Sequence, residues 1–149
     1  MKRAVIVAMI GAILMAQPAV AAETEAETET IQSYSDTDLW YMSRLIQQES
    51  GYCSEQMMQY VGSVVLNRRD DPRFPDTIEG VILQPGQYST ASYLEAQEPT
   101  HEAINVAVDL LENGSVLPGD VIYQANFEQG YATYATLCTS YSVMYFCVG

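Results

Sequence analysis

Three stretches of this chain repeat apolar residues at helical spacing, and each is fenced by residues that start or stop a helix. That pattern constrains the fold more than any other feature. In the first, Leu39, Met42, Leu45 and Ile46 form one stripe, with Ser35 or Asp36 placed to cap its start and Gly51 to end it. In the second, "SEQMMQYVGSVVLNRR", Ser54 is the cap and Met57, Val61, Val64 and Val65 are the stripe. Arg68 and Arg69 stand at its C-terminal end, where cations suit the helix dipole, and Pro72 and Pro75 close it. The third, "PTHEAINVAVDLLENG", carries Ile104, Val108 and Leu111 and stops at Asn113-Gly114. Between the second and third, "DTIEGVIL" predicts a short helix with Asp76 and Glu79 at capping-box spacing, and "QPGQYST" predicts a loop with a Pro-Gly turn. Beyond the third, "DVIYQANF", "YATYATL" and "SVMYFCVG" are short and rich in Val, Tyr and Thr, which predicts strands. The expected fold is α+β, mainly helical with a small strand-rich C-terminal part.

The 149 residues suffice for one domain. Residues 1–22 have a basic start at Lys2 and Arg3, an apolar run, and Ala19-Val20-Ala21 as a cleavage signal, so they read as a secretory signal peptide. Residues 23–33 alternate Glu with Thr and Ala and read as an acidic, disordered spacer. The folded domain is expected over 34–149, as an exported monomer. The chain carries 6 basic and 19 acidic residues, a net charge of -13. Such a chain repels nucleic acid and, once its signal is removed, anionic membranes. A single His and scattered thiols give no zinc spacing, and no cofactor is expected.

Glu49 is the singular residue of the first helix, since the next position on the face of Leu39, Met42 and Leu45/Ile46 is 49. Partial burial and the negative end of a helix both disfavour a charged carboxylate. A carboxylic acid kept protonated is what a glycosidase needs to protonate a departing sugar oxygen. A one-residue shift of the helix boundary would instead turn Glu49 to solvent.

The stretch "LIQQESGYCSEQMMQYVGSVVLNRRDDPRFPDTIEGVILQPGQYS" resembles cell-wall hydrolases of the spore cortex-lytic enzyme type. The matching places are Glu49, Val64 to Arg68, Phe74-Pro75-Asp76-Thr77, Val81-Ile82 and Gln87-Tyr88-Ser89, with weaker likeness through "VIYQANFEQG" to "MYFC". The resemblance implies a lysozyme-like fold that cuts the bond between N-acetylmuramic acid and N-acetylglucosamine in peptidoglycan strands. It implies one glutamate, Glu49, acting as general acid and then as base. Gln87, Tyr88 and Ser89, in a loop, and Tyr123, Gln124 and Asn126, on a strand, are the candidate sugar contacts. Asn67 and Arg68 read as structural, Asn67 bonding backbone carbonyls and Arg68 pairing with Asp70 or Asp71. Trp40 and Met42 read as core. The chain departs from the family pattern at Cys53, where a second acid is usual, at Tyr88 in place of Phe, and at Met144-Tyr145-Phe146 in place of His-x-Phe.

Export permits one disulfide among Cys53, Cys138 and Cys147. If the strand tail packs beside the cleft, Cys53–Cys147 is the expected bridge, with Cys138–Cys147 as the competing pair. Two other functions fit parts of the sequence. A papain-like cell-wall peptidase would use Cys53 at a helix start with His101. A non-catalytic peptidoglycan-binding module would need neither.

Overall fold

The computed structural model describes residues 32–139 and 142–149. The signal peptide lies outside the described residues, as does the acidic spacer apart from Gln32 and Ser33. The elements follow the order α1 (Asp36–Ser50), α2 (Glu55–Asp70), α3 (Ile78–Leu83), a 3-10 turn (Ser89–Tyr93), α4 (His101–Asn113), then β1 (Val121–Ala125), β2 (Ala132–Cys138) and β3 (Val143–Val148). The α+β arrangement, helices first and strands last, is the expected one.

Local chemistry sets the helix ends. Ser35 caps α1 by accepting from the Asp38 amide, while the Asp38 carboxylate accepts from the Ser35 amide and hydroxyl. Ser54, Thr77 and Thr100 cap α2, α3 and α4 in the same way. The capping box expected from Asp76 and Glu79 is not formed. Thr77 accepts from the Gly80 amide, and Glu79 instead accepts from the Tyr41 hydroxyl at 2.8 Å, joining α3 to α1. Gly114 ends α4 at φ 89°, a backbone state that L side chains avoid.

Helix α2 is the central element and packs against α1, α3, α4 and β1. Its expected stripe of Met57, Val61, Val64 and Val65 is buried, and so are Met58, Gly62, Ser63, Leu66, Asn67 and Arg68. Gly62 marks the closest approach. A Cβ there would meet Leu110 Cδ1 at 2.4 Å and Ile46 Cδ1 at 3.0 Å, so α1, α2 and α4 converge on a missing side chain. The α4 stripe is rotated from expectation. Ala103, Val106, Ala107 and Leu110 face the core, and Ile104, Val108 and Leu111 flank it half-buried. Two alanines let α4 lie close to its neighbours, which larger residues at those places would prevent. Met42 is core as expected. Trp40 is only half-buried, its ring edge-on to Tyr41 with the Arg44 guanidinium 4.9 Å above it.

The sheet is antiparallel, in the order β1-β3-β2, so the last strand is the middle one. Phe146 of β3 is fully buried against α2, edge-on to Tyr60 at 5.1 Å. The firmest joint between helices and sheet is polar. Asn67 Nδ2 donates to the carbonyls of Pro118 (2.7 Å) and Val121 (2.9 Å), and Arg68 Nε donates to the Ile122 carbonyl (2.7 Å). Arg68 does not pair with Asp70 or Asp71. Those acids are held by Arg69 and Arg73, while the Arg68 guanidinium lies over the Phe74 and Tyr88 rings at 5.4 and 5.3 Å. A buried guanidinium gains more from rings and a carbonyl than from an acid that would itself have to be desolvated.

Removing the Asn67 amide leaves two carbonyls without their donor. Asn67→Ala should lower the unfolding free energy by roughly 2–6 kcal/mol, from about 1–3 kcal/mol for each of the two carbonyls left unmet. Urea unfolding with an unchanged m-value checks it.

Candidate active site

Glu49 stands in the last turn of α1, one residue before its end. The core position after Ile46 is taken by Ser50, whose hydroxyl folds back to the Ile46 carbonyl at 3.0 Å. Gln47 is also buried, and its Oε1 accepts from the Thr100 amide at 2.8 Å, fastening α1 to the start of α4. Glu49 therefore lies at the edge of the stripe, half-buried. It opens into a cleft of about 600 Å³ lined by Gln47, Gln48, Glu49, Ser50, Gly51, Tyr52, Cys53, Gln97 and Thr139. Glu49 is the single acid in that lining, and the other groups are amides, hydroxyls, a thiol and one aromatic ring.

The Glu49 carboxylate is held by Thr90, whose Oγ1 donates to Glu49 Oε1 at 2.5 Å. Thr90 is the second residue of the 3-10 turn that follows the Pro85-Gly86 bend, where Gly86 takes φ 82°. A hydroxyl suits both states of its partner, donating to a carboxylate and accepting from a carboxylic acid.

Tyr88, which precedes the 3-10 turn, has 7% exposure and a hydroxyl that meets no hydrogen-bond partner. Burial pushes its phenol up to about 12. The Arg68 cation over its ring opposes that rise, and the Glu49 charge adds to it. Tyr88 is thus a buried, neutral residue outside the cleft lining rather than an exposed sugar contact. Gln87 and Ser89 are exposed beside it. Tyr123, Gln124 and Asn126 lie on or just after β1 and do not line the Glu49 cleft. Asn126 is exposed, and Gln124 Oε1 is buried without a partner. Tyr123 packs at the far end of the sheet, where Cβ atoms added at Gly130 or Gly149 would collide with its ring.

Sequence reasoning missed Thr90, Tyr52 and Gln97. Thr90 sits one residue beyond the Gln-Tyr-Ser motif, and Tyr52 three beyond Glu49, so both were within reach of a wider reading. Gln97 carries no local signal.

The expected Cys53–Cys147 bridge is not formed, and all three cysteines are free. Cys147 pairs across β3 with Tyr123 and Thr133, whereas Cys138 pairs with Val143. These places are separated by roughly 13 Å of strand. Cys53 shares its cleft with Thr139, beside Cys138 at the other end of the sheet from Cys147. Cys138 is exposed, while Ala135 and Leu137 pack on the core, so its side chain faces away from Cys53. A separate cavity of about 420 Å³ on the other side of Cys53 gathers Glu55, Glu102 and Asp109. His101 lines neither cavity, and no hydrogen bond joins it to Cys53 among the described residues, so the thiol–imidazole pair of a papain-like peptidase is not assembled.

A family model described as Cell Wall Hydrolase matches residues 53–146. The chain belongs to the cell wall hydrolase family. Spore cortex-lytic enzymes of Oceanobacillus iheyensis and Halalkalibacterium halodurans are each 29% identical to it, over 99 and 109 residues. Those matches cover 64% and 70% of this chain but 34% and 32% of the relatives, so this family member spans about a third of their length. Among solved structures, the catalytic domain of the germination-specific lytic transglycosylase SleB from Bacillus anthracis superposes with a TM-score of 0.59 at 20% identity, covering 76% of this chain and 97% of that one. The catalytic domain of Bacillus cereus SleB gives 0.57 at 22%, covering 76% and 91%. At these identities the likeness establishes the lysozyme-like fold. The family match begins at Cys53, so the case for Glu49 rests on its geometry.

The thiol positions carry their own test. Alkylation without reductant should modify Cys138 first, Cys53 more slowly and Cys147 only on unfolding. Intact mass of the unfolded protein should show three adducts, whereas a single adduct would reveal a bridge.

Proposed function

We propose that this protein is an exported peptidoglycan-cleaving enzyme that breaks the N-acetylmuramic acid–N-acetylglucosamine bond as a lytic transglycosylase. The observation that carries the reading is Glu49 as the single acid of a cleft otherwise lined by neutral polar groups. The family membership and the likeness to SleB catalytic domains support it, and the leader read in residues 1–22 would take the enzyme to its substrate.

A neutral lining suits a glycan. Arg44, Arg68, Arg69 and Arg73, the basic residues of the described chain, are each engaged by an acid or a carbonyl, so no spare cation draws an anionic ligand into the cleft. Glu49 as the acid gives its proton to the bridging oxygen while the bond from C1 of muramic acid breaks, and N-acetylglucosamine leaves with a free 4-hydroxyl. Glu49, now a carboxylate, takes the proton of the muramic 6-hydroxyl as that oxygen closes on C1. The proton is back on Glu49, no water is consumed, and the product is a 1,6-anhydro ring. An inverting or retaining hydrolase with two carboxyl groups would need a second acid across the bond, and the cleft lining offers none. Thr90 acts through Glu49, as a positioning residue that keeps Oε1 in one place through both proton transfers.

Glu49→Gln should keep the fold and lose at least about 100-fold in cleavage, the low end for general acid–base catalysis. Mass spectrometry of digested peptidoglycan should show anhydromuramic ends. Reducing ends would make the enzyme a hydrolase, and new free amines on stem peptides would make it a peptidase.

Thr90→Val should lower kcat by roughly tenfold with KM little changed, because a misoriented acid is slow without being weak in binding. Thr90→Ser should restore the rate. Equal activity in Thr90→Val would remove the positioning role.

A further inference from the structure

Tyr52 is 82% exposed at the mouth of the Glu49 cleft, just past the Gly51 that ends α1. A tyrosine so exposed would ordinarily turn freely in water. Here its hydroxyl accepts a hydrogen bond from Gln97 Nε2 at 2.5 Å, and Gln97 enters from the segment before α4 and lines the same cleft. A ring outside the core is thus pinned by a partner 45 residues away. The bond contributes little to stability at so exposed a place. What it fixes is the position and long axis of an apolar ring at the mouth of the Glu49 cleft.

The geometry points to Tyr52, held by Gln97, as a stacking platform for one N-acetylhexosamine ring of the strand that Glu49 cleaves. The inference rests on the glycan-cleaving reading above and adds to it a residue that sets where the strand lies. A pyranose presents C–H groups on its flat face and polar groups around its edge. A tyrosine face meets the former at low entropic cost, since only two side-chain torsions need be fixed. The edge calls for polar groups, and Gln48 lines the same cleft. The Gln48 Nε2 is a buried donor that meets no acceptor within the protein, and a turn of its side chain would bring it to the cleft. The lining has no cation, which disfavours a nucleotide or phosphorylated ligand on the same ring.

The test uses soluble glycan strands of alternating N-acetylglucosamine and N-acetylmuramic acid, freed of stem peptides. Tyr52→Ala should raise KM about tenfold and leave kcat within about twofold, the signature of lost binding without lost chemistry. Tyr52→Trp should keep the wild-type KM, and Gln97→Ala should raise KM about threefold by freeing the ring. In the Glu49→Gln background, Tyr52→Ala should weaken equilibrium binding of the same strands about tenfold. Circular dichroism should be identical for all variants, because Tyr52 lies outside the core. An unchanged KM and an unchanged binding constant in Tyr52→Ala would overturn the platform while leaving Glu49 chemistry intact. If the wild type cleaves no strand, the reading of Glu49 fails, and the binding measurement still decides the platform.

Discussion

Two side chains near the end of α2 hold this domain together where apolar packing alone would leave it loose. Asn67 and Arg68 direct their donors at carbonyls around the start of β1, and they do so from inside the protein. A small sheet of three strands cannot bury much surface of its own, and the carbonyls at its edge must find donors away from water. The helix supplies those donors and thereby fixes the sheet's place. The cleft follows from that docking. One wall is the end of α1, and the other is reached by Thr139, just past β2. Shifting the sheet on α2 would move Thr139 relative to Glu49 without altering any residue of the cleft itself.

The same arginine links the joint to the site. Arg68 bonds β1 through Nε and lies under the Tyr88 ring with the rest of its guanidinium. Tyr88 in turn carries the backbone into the 3-10 turn that presents Thr90 to Glu49. A charged group in this position keeps the buried phenol from sitting against an uncompensated carboxylate, since its field opposes the one from Glu49. Elsewhere the chain uses its few cations on local acids, Arg69 with Asp70 and Arg73 with Asp71. The Asp71 carboxyl is held down to about 2 by its hydrogen bonds from Arg73. The acidic surface is therefore left uncompensated, in keeping with a ligand recognised by shape and neutral hydrogen bonds.

Much of the fold was legible because its signals are local. Ser35, Ser54 and Gly114 each act on backbone groups within a few residues, and the α2 stripe is buried whichever neighbour covers it. Legibility fails where the deciding partner is distant in sequence. The α4 face turned because Gly62 and Leu110 meet, which no periodicity within 101–113 reveals. Arg68 was expected to seek an acid nearby, but burial raised the value of two rings and a carbonyl over acids already held by their neighbours. The place of Glu49 in the last turn of α1 could be read from helical spacing, whereas Thr90 and Gln97 meet Glu49 and Tyr52 from 41 and 45 residues away and could not be read. The cysteine pairing misled because it assumed which end of β3 faces the cleft, and only the strand register, with Thr139 in the cleft beside Cys138, settles that.

An acid at the end of an apolar stripe first looks like a conflict between helix and core. The structure resolves it by changing what the stripe carries in its last turn. After Ile46 the buried places go to the polar residues Gln47, whose Oε1 accepts from the Thr100 amide, and Ser50, whose hydroxyl donates to the helix's own Ile46 carbonyl. Gly51 suits the next place, because a Cβ there would fall 2.6 Å from the Gln47 carbonyl oxygen. The core therefore thins out one turn before the helix does, and the vacated edge becomes the cleft. A leucine at position 49 would stand at that same edge, half in water and with no apolar neighbour for its outer face. A glutamate there loses little by partial burial and gains Thr90, so the end of the hydrophobic stripe is what gives Glu49 both its shelter and its access.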